Sequence, residues 1–223
     1  MHVIGPLADL PSATFDTIFC KRSFTYGRIM DSGASTKERI EAAALKLFVE
    51  KGVDGASIRD IAQAVGLSDG ALYRHYASKE ELVWRLFAGG FEGFARELER
   101  LAAGESGPRQ KIAAMVRGFC ALFDADSLLF RFLLLVQHGQ LERVGPEMAN
   151  PIEVVRAVVA AAMKEGDIPR GDADLAAAMV MGIILQTATF RVYGRVRRPL
   201  GKLAPTLARA CWNVLKLEQE GRG

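Results

Sequence analysis

Apolar side chains recur at helical spacing along most of the chain from residue 36 onward, and the apolar–polar alternation of strands is scarce. In the segment TKERIEAAALKLFVEKG, for example, Ile40 and Ala44 share one helical face. Ser35 or Thr36 can cap this first helix, and Gly52 ends it. The pattern predicts a helix with one buried face at the start of a folded region.

Two shorter segments and one long segment come next. The second helix, in SIRDIAQAVG, begins at Ser57, and Asp60 three residues later completes a capping box. Gly66 ends it, and a three-residue turn leads into a short third helix at about 69–76. A long fourth helix begins at Lys79 and extends to about residue 101.

The rest of the chain follows the same helical pattern after the first clear linker, GESGP. Five further helices are predicted, at about 109–124, 127–142, 151–165, 172–195 and 201–218. We therefore expect an all-α fold, with an N-terminal three-helix helix-turn-helix domain and a larger C-terminal helical domain. The predicted segments are a flexible N-terminal tail over 1–35, the helix-turn-helix domain over 36–82 and the larger helical domain over 83–223.

The second and third helices, joined by a short turn with glycine, have the layout of a DNA-binding helix-turn-helix. Helical spacing directs Leu72 and Tyr76 inward, and it directs Tyr73 and Arg74 outward. Phenol and imidazole groups donate to phosphate oxygens, and a guanidinium does so or binds guanine bidentately. Gly70, like Ala71, has almost no side chain, which allows a close approach to the groove.

Residues 36–82 resemble the DNA-binding domain of TetR-family transcriptional regulators, on the stretch ASIRDIAQAVGLSDGALYRHYASKEEL. The family's LYxHFxSKEEL is present as LYRHYASKEEL, with Tyr76 where phenylalanine is usual. The resemblance implies phosphate contacts from Ser57 and Lys79 and DNA-backbone contacts from Tyr73 and His75. It places five residues nearest the bases: Arg59, Asp69, Gly70, Ala71 and Arg74.

Charge does not by itself mark this segment as DNA-binding. The whole chain has a formal net charge of +3, whereas residues 36–82 contain seven Lys/Arg and eight Asp/Glu. Binding therefore depends on the local placement of cations, which the tail residues Lys21, Arg22 and Arg28 could supplement. Asp69 either accepts a hydrogen bond from cytosine N4 or simply favours the N-terminus of its helix.

The larger C-terminal region is rich in aromatic and long apolar side chains at helical spacing. Core packing explains such residues, while the family resemblance implies that these helices enclose a pocket for a small effector, which we expect to be hydrophobic or aromatic. A lone histidine near a helix end, such as His138, is more often a hydrogen-bonded structural residue than a ligand contact. The candidate effector-binding residues are Phe91, Phe94, Met115, Phe119, Phe123, Phe130, Gln137, His138 and Gln186.

The last two predicted helices, over about 172–218, carry small residues that allow close helix packing. The resemblance implies that they pair with their twins as a four-helix bundle, and internal core is the alternative. A helix-turn-helix needs two copies to reach two half-sites, which independently favours a homodimer. A cluster of cations either forms a solvated helix end and loop or binds an acidic group. Its members are Arg191, Arg195, Arg197, Arg198 and Lys202.

Several function classes have no support in the sequence. The cysteines Cys20, Cys120 and Cys211 are far apart, so a disulfide framework and a zinc site are not expected, and no cofactor or metal is predicted. No nucleophile–base pair or phosphate-binding loop points to an enzyme. The longest apolar run, over 176–185, is too short to cross a bilayer, no signal peptide is recognised, and a cytoplasmic location is expected. Translation from Met1 or from Met30 fits the sequence.

The sequence thus predicts a ligand-responsive transcriptional regulator, which we expect to be a repressor. Its dimer would bind double-stranded, near-palindromic operator DNA and leave it when a small effector binds. Two alternatives stay open at this stage. One is a DNA-binding regulator without a small-molecule effector, and the other is an enzyme on an all-α scaffold.

Overall fold

The computed structural model describes residues 34–217, and this range contains nine α-helices, one 3₁₀ helix and no strand. The expected all-α fold is confirmed. The helices are α1 Thr36–Gly55, α2 Ile58–Ala64, α3 Asp69–Tyr73, α4 Lys79–Ala103, α5 Pro108–Ala125, α6 Ser127–Gln140, the 3₁₀ helix Leu141–Arg143, α7 Pro151–Glu165, α8 Ala173–Val192 and α9 Leu200–Leu215.

The helix bounds agree with the predicted ones to within a few residues. Helix α3 ends at Tyr73 instead of residue 76, with Arg74 as its C-cap, and α8 and α9 also end three residues earlier than predicted. The predicted tail over 1–35, including Lys21, Arg22, Arg28 and Met30, lies outside the described residues except for its last two positions.

Serine side chains set the starts of the first four helices. Ser35 and Ser57 each form a complete capping box, in which the serine hydroxyl accepts from a backbone N–H and the acidic side chain three residues later accepts in return. Ser68 caps α3, and Ser78 caps α4 by accepting from the Glu81 N–H. Each such cap is worth about 1 kcal/mol, so the positions of these short helices are fixed locally.

Two hydrophobic cores run along the molecule. The first is formed by α1–α3 and the beginning of α4, and it continues beyond residue 82 to Phe87. Helix α6 completes it with Leu129, Phe132 and Val136, and the Phe132 ring stacks on Phe48 at a centroid distance of 6.0 Å. The DNA-binding region therefore depends on a helix that the sequence assigned to the other domain.

The second core lies between the distal part of α4 and helices α5, α7, α8 and α9. Phe130 of α6 belongs to this core, although its neighbours Leu129 and Phe132 belong to the first. Asp124, at the end of α5, holds the beginning of α9 because its carboxylate accepts from the Leu200 N–H at 3.1 Å and the Gly201 N–H at 2.8 Å.

Helices α4 and α6 approach each other closely where the two cores meet. A Cβ added at Gly90 would lie 3.0 Å from Leu129 Cδ1 and 3.3 Å from Leu133 Cδ2, so glycine permits this crossing. Just beyond α6, the Arg143 guanidinium lies 4.2 Å from the centre of the Trp84 ring on α4. This cation–π contact attaches the end of α6 to the same long helix.

Helix α8 is more apolar than the sequence analysis suggested. Over Ala173–Val192 its mean hydropathy reaches 1.6, and by length and composition alone it could cross a membrane. The length argument against a span was therefore wrong, because it counted only the uninterrupted run over 176–185 and not the full helix. Only 28% of this window is buried, and Leu175 and Phe190 are 51% and 44% exposed.

Candidate DNA-binding surface and effector region

Helix α3 is anchored on one side and free on the other. Leu72 is fully buried and Tyr76 is 2% exposed, and the Tyr76 hydroxyl donates to Glu41 Oε1 on α1. Tyr73, by contrast, is 51% exposed, and Arg74 and His75 are exposed beside it. The helix thus presents a phenol, a guanidinium and an imidazole on a support that is fixed by the first core.

The predicted base-facing residues cluster around the turn between α2 and α3. Arg59 and Asp69 line one open depression there, together with Gln63, Gly66 and Leu67. Gly70 and Ala71 follow in the first turn of α3, where Gly70 is exposed and Ala71 is half-buried. The structure therefore brings Arg59 and Asp69 to one depression, with Gly70 and Ala71 next along the chain, and the contacts of these residues with bases stay a prediction.

Two cations of this surface are available to a polyanion. Within residues 34–217, neither Arg59 nor Arg74 has a carboxylate partner at ion-pair distance. Asp69 is exposed in the first turn of α3, where a negative charge favours the helix N-terminus. This geometry gives Asp69 a structural role without excluding a contact with cytosine.

Ser57 and Lys79, the two predicted phosphate contacts, already have protein partners. The Ser57 hydroxyl donates to Asp60 Oδ2 at 2.7 Å and accepts from the Asp60 N–H at 3.1 Å. Hydrogen bonds from the Ser57 backbone and hydroxyl lower the pKa of Asp60 below its usual value. Lys79 Nζ donates to the carbonyls of Val53 at 2.9 Å and Ala56 at 3.3 Å.

Lys79 therefore has a structural role that the sequence did not reveal. Its acceptors lie in the last turn of α1 and in the α1–α2 connection, 26 and 23 residues away along the chain, and no local pattern marks such contacts. A phosphate contact would have to be shared with these carbonyls or replace them. The role of Lys79 in DNA binding stays a prediction.

Four of the candidate effector-binding aromatics form one packed cluster in the second core. The rings of Phe94, Phe119 and Phe130 meet edge to face, with centroid distances of 5.2–5.7 Å. Phe123 joins them at 5.9 Å from Phe130 and 6.1 Å from Phe119, and Met115 is buried in the same core. We call these five side chains the aromatic cluster; in this structure they fill the region themselves.

The structure does not bring the other candidates to the aromatic cluster. Phe91 stacks on Phe87 at 5.1 Å and packs against the first core. Gln137 is half-buried on α6, while His138 and Gln186 are exposed. Helical spacing identified apolar faces correctly, but it could not show on which side of the α4–α6 crossing each residue falls.

Two buried polar atoms escaped the sequence analysis. Asp126, the N-cap of α6, has one carboxylate oxygen without a hydrogen-bond partner among the described residues, and burial raises the pKa of this carboxyl. Trp212 Nε1 on α9 is likewise buried without a partner in residues 34–217. The burial of Asp126 depends on the packing of α6, which no local sequence pattern marks.

Comparisons with known proteins agree with this geometry. A family model described as "Bacterial regulatory proteins, tetR family" matches residues 40–86. The HTH-type transcriptional repressor KstR2 of Mycobacterium tuberculosis is 33% identical over 88 residues, which are 40% of this chain and 42% of that protein. The chain thus spans less than half the length of this relative.

Longer but weaker similarities cover the C-terminal region as well. The fatty acid metabolism regulator protein of Bacillus subtilis is 23% identical over 152 residues, 66% of this chain and 78% of that protein. The solved structure of the B. subtilis regulator FadR in complex with stearoyl-CoA has a TM-score of 0.65 at 21% identity, covering 81% of this chain and 98% of that one. Both of these sequence relatives are named as regulators.

The capped helix-turn-helix, the helical domain behind it and these similarities lead to one conclusion. Over residues 40–86 this chain carries the DNA-binding region of the tetR family of bacterial regulatory proteins.

Proposed function

We propose that this protein is a dimeric, cytoplasmic repressor that binds a near-palindromic operator and is released by a hydrophobic effector. The observation that carries the DNA-binding part is the geometry of α3. Leu72 within α3 and Tyr76 just after it are buried and fix the helix, while Tyr73 and the following Arg74 and His75 are exposed. In a helix-turn-helix, this second helix enters the major groove and its exposed side chains contact phosphates and base edges.

The exposed apolar surface of α8 supports the dimer. A helix that is apolar around its whole circumference is normally buried, yet most of α8 is accessible in the single chain. Its exposed positions include the small residues Ala178 and Gly182, which allow a second helix to approach closely. Two chains paired through α8 and α9 would bury this surface and place two α3 helices in successive major grooves, about 34 Å apart.

We infer that the effector is a long-chain acyl-CoA thioester. Support comes from the similar B. subtilis FadR, whose structure contains stearoyl-CoA, and from the fatty acid metabolism regulator of the same organism. The aromatic cluster offers an apolar environment for an acyl chain, provided that its rings move apart.

Helix α6 would couple the effector to DNA. An acyl chain that displaces Phe130 also moves Leu129 and Phe132, which lie one and two residues away and pack in the first core. The movement would reach α1 through the Phe48–Phe132 stack and α4 through the crossing at Gly90. Such couplings between two sites are typically worth about 1–3 kcal/mol.

Fluorescence anisotropy tests this function directly. Labelled duplex DNA from upstream of the protein's own gene is compared with a scrambled duplex at two salt concentrations, and stearoyl-CoA is then added. We expect tight, sequence-dependent, salt-sensitive binding that stearoyl-CoA reverses and free CoA does not. Absence of binding to either duplex at low salt would contradict the DNA-binding assignment, and binding that stearoyl-CoA leaves unchanged would contradict the effector assignment.

One observation favours a second candidate, a regulator without a small-molecule effector. The rings of the aromatic cluster already contact one another, so the region is a satisfied core without any ligand. A thermal melt separates the two candidates, because a ligand that binds the native state stabilises it in proportion to ln(1 + [L]/Kd) and so raises Tm. A melting temperature that stearoyl-CoA does not change would favour the effector-free regulator.

A further inference from the structure

Positive charge in this protein is concentrated far along the chain from the helix-turn-helix. Residues 175–217 contain seven Lys/Arg and no Asp/Glu, whereas residues 36–82 contain seven Lys/Arg and eight Asp/Glu. Five of the seven cations in the later segment fall within residues 191–202, which we call the basic turn. They are Arg191, Arg195, Arg197, Arg198 and Lys202.

The backbone of the basic turn has a defined shape. Helix α8 ends through Gly194, whose φ of 72° is favourable only for glycine, and the N–H groups of Arg195 and Val196 both donate to the Phe190 carbonyl. The other end is fixed by Asp124, whose carboxylate accepts from the backbone N–H groups at the start of α9. The turn is thus attached at both ends.

The side chains of the basic turn are open to solvent and to a partner. Arg195, Arg197 and Arg198 are exposed, as is Lys202, and Arg191 is half-buried. None of the five forms an ion pair within residues 34–217. The nearby carboxylate of Asp124, at the end of α5, accepts hydrogen bonds from the backbone N–H groups of Leu200 and Gly201 and forms no ion pair with these arginines.

The basic turn lies at the end of the C-terminal region that adjoins the DNA-binding core. Asp124 is followed two residues later by the N-cap of α6, and α6 then inserts Leu129 and Phe132 into the first core. Helix α8 has 20 residues, so its beginning lies about 30 Å from the turn. The cations are therefore on the side of this region that faces the helix-turn-helix.

We propose that the basic turn is a second DNA-contacting surface, which binds backbone phosphates of the operator without reading bases. The inference rests on the proposed function, because pairing through α8 and α9 would bring the two basic turns together near the two-fold axis. They would then meet phosphates between the two half-sites. Guanidinium groups bind phosphate oxygens bidentately, and DNA offers such oxygens in every sequence.

The charge balance of the first domain supports DNA as the partner. A segment with one more acid than base produces no strong attraction for a polyanion at long range, and its two unpaired arginines act only locally. The basic turn has five cations and no acidic residue of its own, and the Asp124 carboxylate beside it is engaged by backbone N–H groups. This surface, held beside that domain, supplies the missing attraction. Phosphates of an acyl-CoA are the competing partner, and the experiment distinguishes them.

The test compares two triple variants with the same change in charge. The first is Arg195→Gln, Arg197→Gln and Arg198→Gln in the basic turn. The matched control is Arg109→Gln, Lys164→Gln and Arg170→Gln, three exposed positions near the α4–α5 and α7–α8 connections at the opposite end of the helices. Circular dichroism melts establish that both variants are folded as the wild type is.

Binding of each protein to a non-specific duplex and to the upstream duplex is then measured between about 50 and 200 mM salt. The slope of log K against log[salt] falls in magnitude by about 0.9 for each phosphate that the protein no longer neutralises. Because the dimer carries two basic turns, removing three cations from each should reduce the slope by about 2 to 5. We expect this reduction on both duplexes for the basic-turn variant and a wild-type slope for the control.

Other results would overturn the proposal. Equal slope changes in the two variants would show that only net charge matters, and no change in either would show that the basic turn is merely solvated. A basic-turn variant that keeps its DNA slope but is no longer stabilised by stearoyl-CoA in a thermal melt would assign the turn to the effector's phosphates. Wild-type protein that binds neither duplex would instead overturn the proposed function, and this inference with it.

Discussion

Removing a single hydroxyl by Tyr76→Phe should destabilise the protein although it restores the phenylalanine usual in the family. Tyr76 is 2% exposed and its hydroxyl donates to Glu41 Oε1, whose side chain is 15% exposed. A hydrogen bond to a charged group is worth about 1.5–3 kcal/mol, and the partial access of water to Glu41 lowers the expected effect to about 1–2 kcal/mol. Lys37 does not replace the hydrogen bond that Glu41 loses, because its Nζ lies 4.0 Å from the same carboxylate oxygen and its side chain is largely exposed.

Chemical denaturation with urea at neutral pH measures this destabilisation, and for a chain of this size it corresponds to a decrease in Tm of roughly 2–8 °C. The pH dependence provides a second readout. Burial, with the Glu41 bond, raises the pKa of Tyr76 above its ordinary value of 10.0. The native state thus holds this proton more tightly than the unfolded chain, so the stabilisation is complete below pH 10 and declines as the pH rises further.

Tyr76→Phe should therefore flatten the decline in stability above pH 10. The matched control is Tyr73→Phe, which removes a hydroxyl from a tyrosine that is 51% exposed on the same short helix and should leave both readouts unchanged. Equal or greater stability of Tyr76→Phe at neutral pH would refute the reasoning, because the buried hydroxyl would then contribute nothing.

Four further outcomes follow from the structure. Tyr73→Ala should weaken DNA binding in anisotropy titrations without lowering Tm. Lys79→Ala should weaken DNA binding and also lower Tm by a few degrees, because it removes the donor to the carbonyls of Val53 and Ala56. Normal DNA binding by both variants would refute the assignment of α3. Arg74→Ala should change base preference in a panel of mutated duplexes by about 1–3 kcal/mol at one position, and an unchanged preference would make Arg74 a phosphate contact. Gly182→Arg should fold normally, because this position is exposed and a Cβ there meets nothing within 4 Å. The arginine should block pairing through α8, giving a monomer in light scattering and weaker operator binding. An intact dimer would refute pairing through α8. Burial raises the pKa of Cys120 and Cys211 to about 12. In a Cys20→Ser variant, which keeps only these two cysteines, neither thiol should react with a thiol reagent at pH 8 until the protein unfolds. Rapid labelling of the native protein would contradict this.

Local rules predicted the helices of this fold well, because helix starts and ends depend on nearby residues. Ser35 and Ser57 cap as expected, and the positive φ of Gly66 follows the end of α2. Gly52, the predicted end of the first helix, also has a positive φ, but there it kinks α1, which extends to Gly55. The outward and inward faces of α3 followed from spacing alone. Two of the predicted base-facing residues, Arg59 and Asp69, accordingly line one depression at the turn between α2 and α3.

Contacts between distant segments could not be predicted in this way. Lys79 has acceptors more than twenty residues away, and Phe91 falls in the first core because α4 meets α6 at Gly90, one residue before it. The solvent exposure of His138 and Gln186 depends on how α6 and α8 pack, which no pattern within either helix specifies. The proposed DNA contacts of the basic turn depend in the same way on how the end of α5 holds the start of α9.

The position of α6 in both cores limits how this protein can be recombined. A chimera that joins a foreign DNA-binding domain to this chain at residue 82 would leave Leu129, Phe132 and Val136 facing a surface that did not evolve with them. Phe132 would lose its stacking partner Phe48, and buried phenylalanines are among the most costly side chains to leave unpacked. A working biosensor built from this effector domain therefore has to include the α1 surface that packs against α6, or α6 has to be redesigned together with the new domain. The boundary for such engineering is thus the packed face between α1 and α6, and not a single position in the sequence.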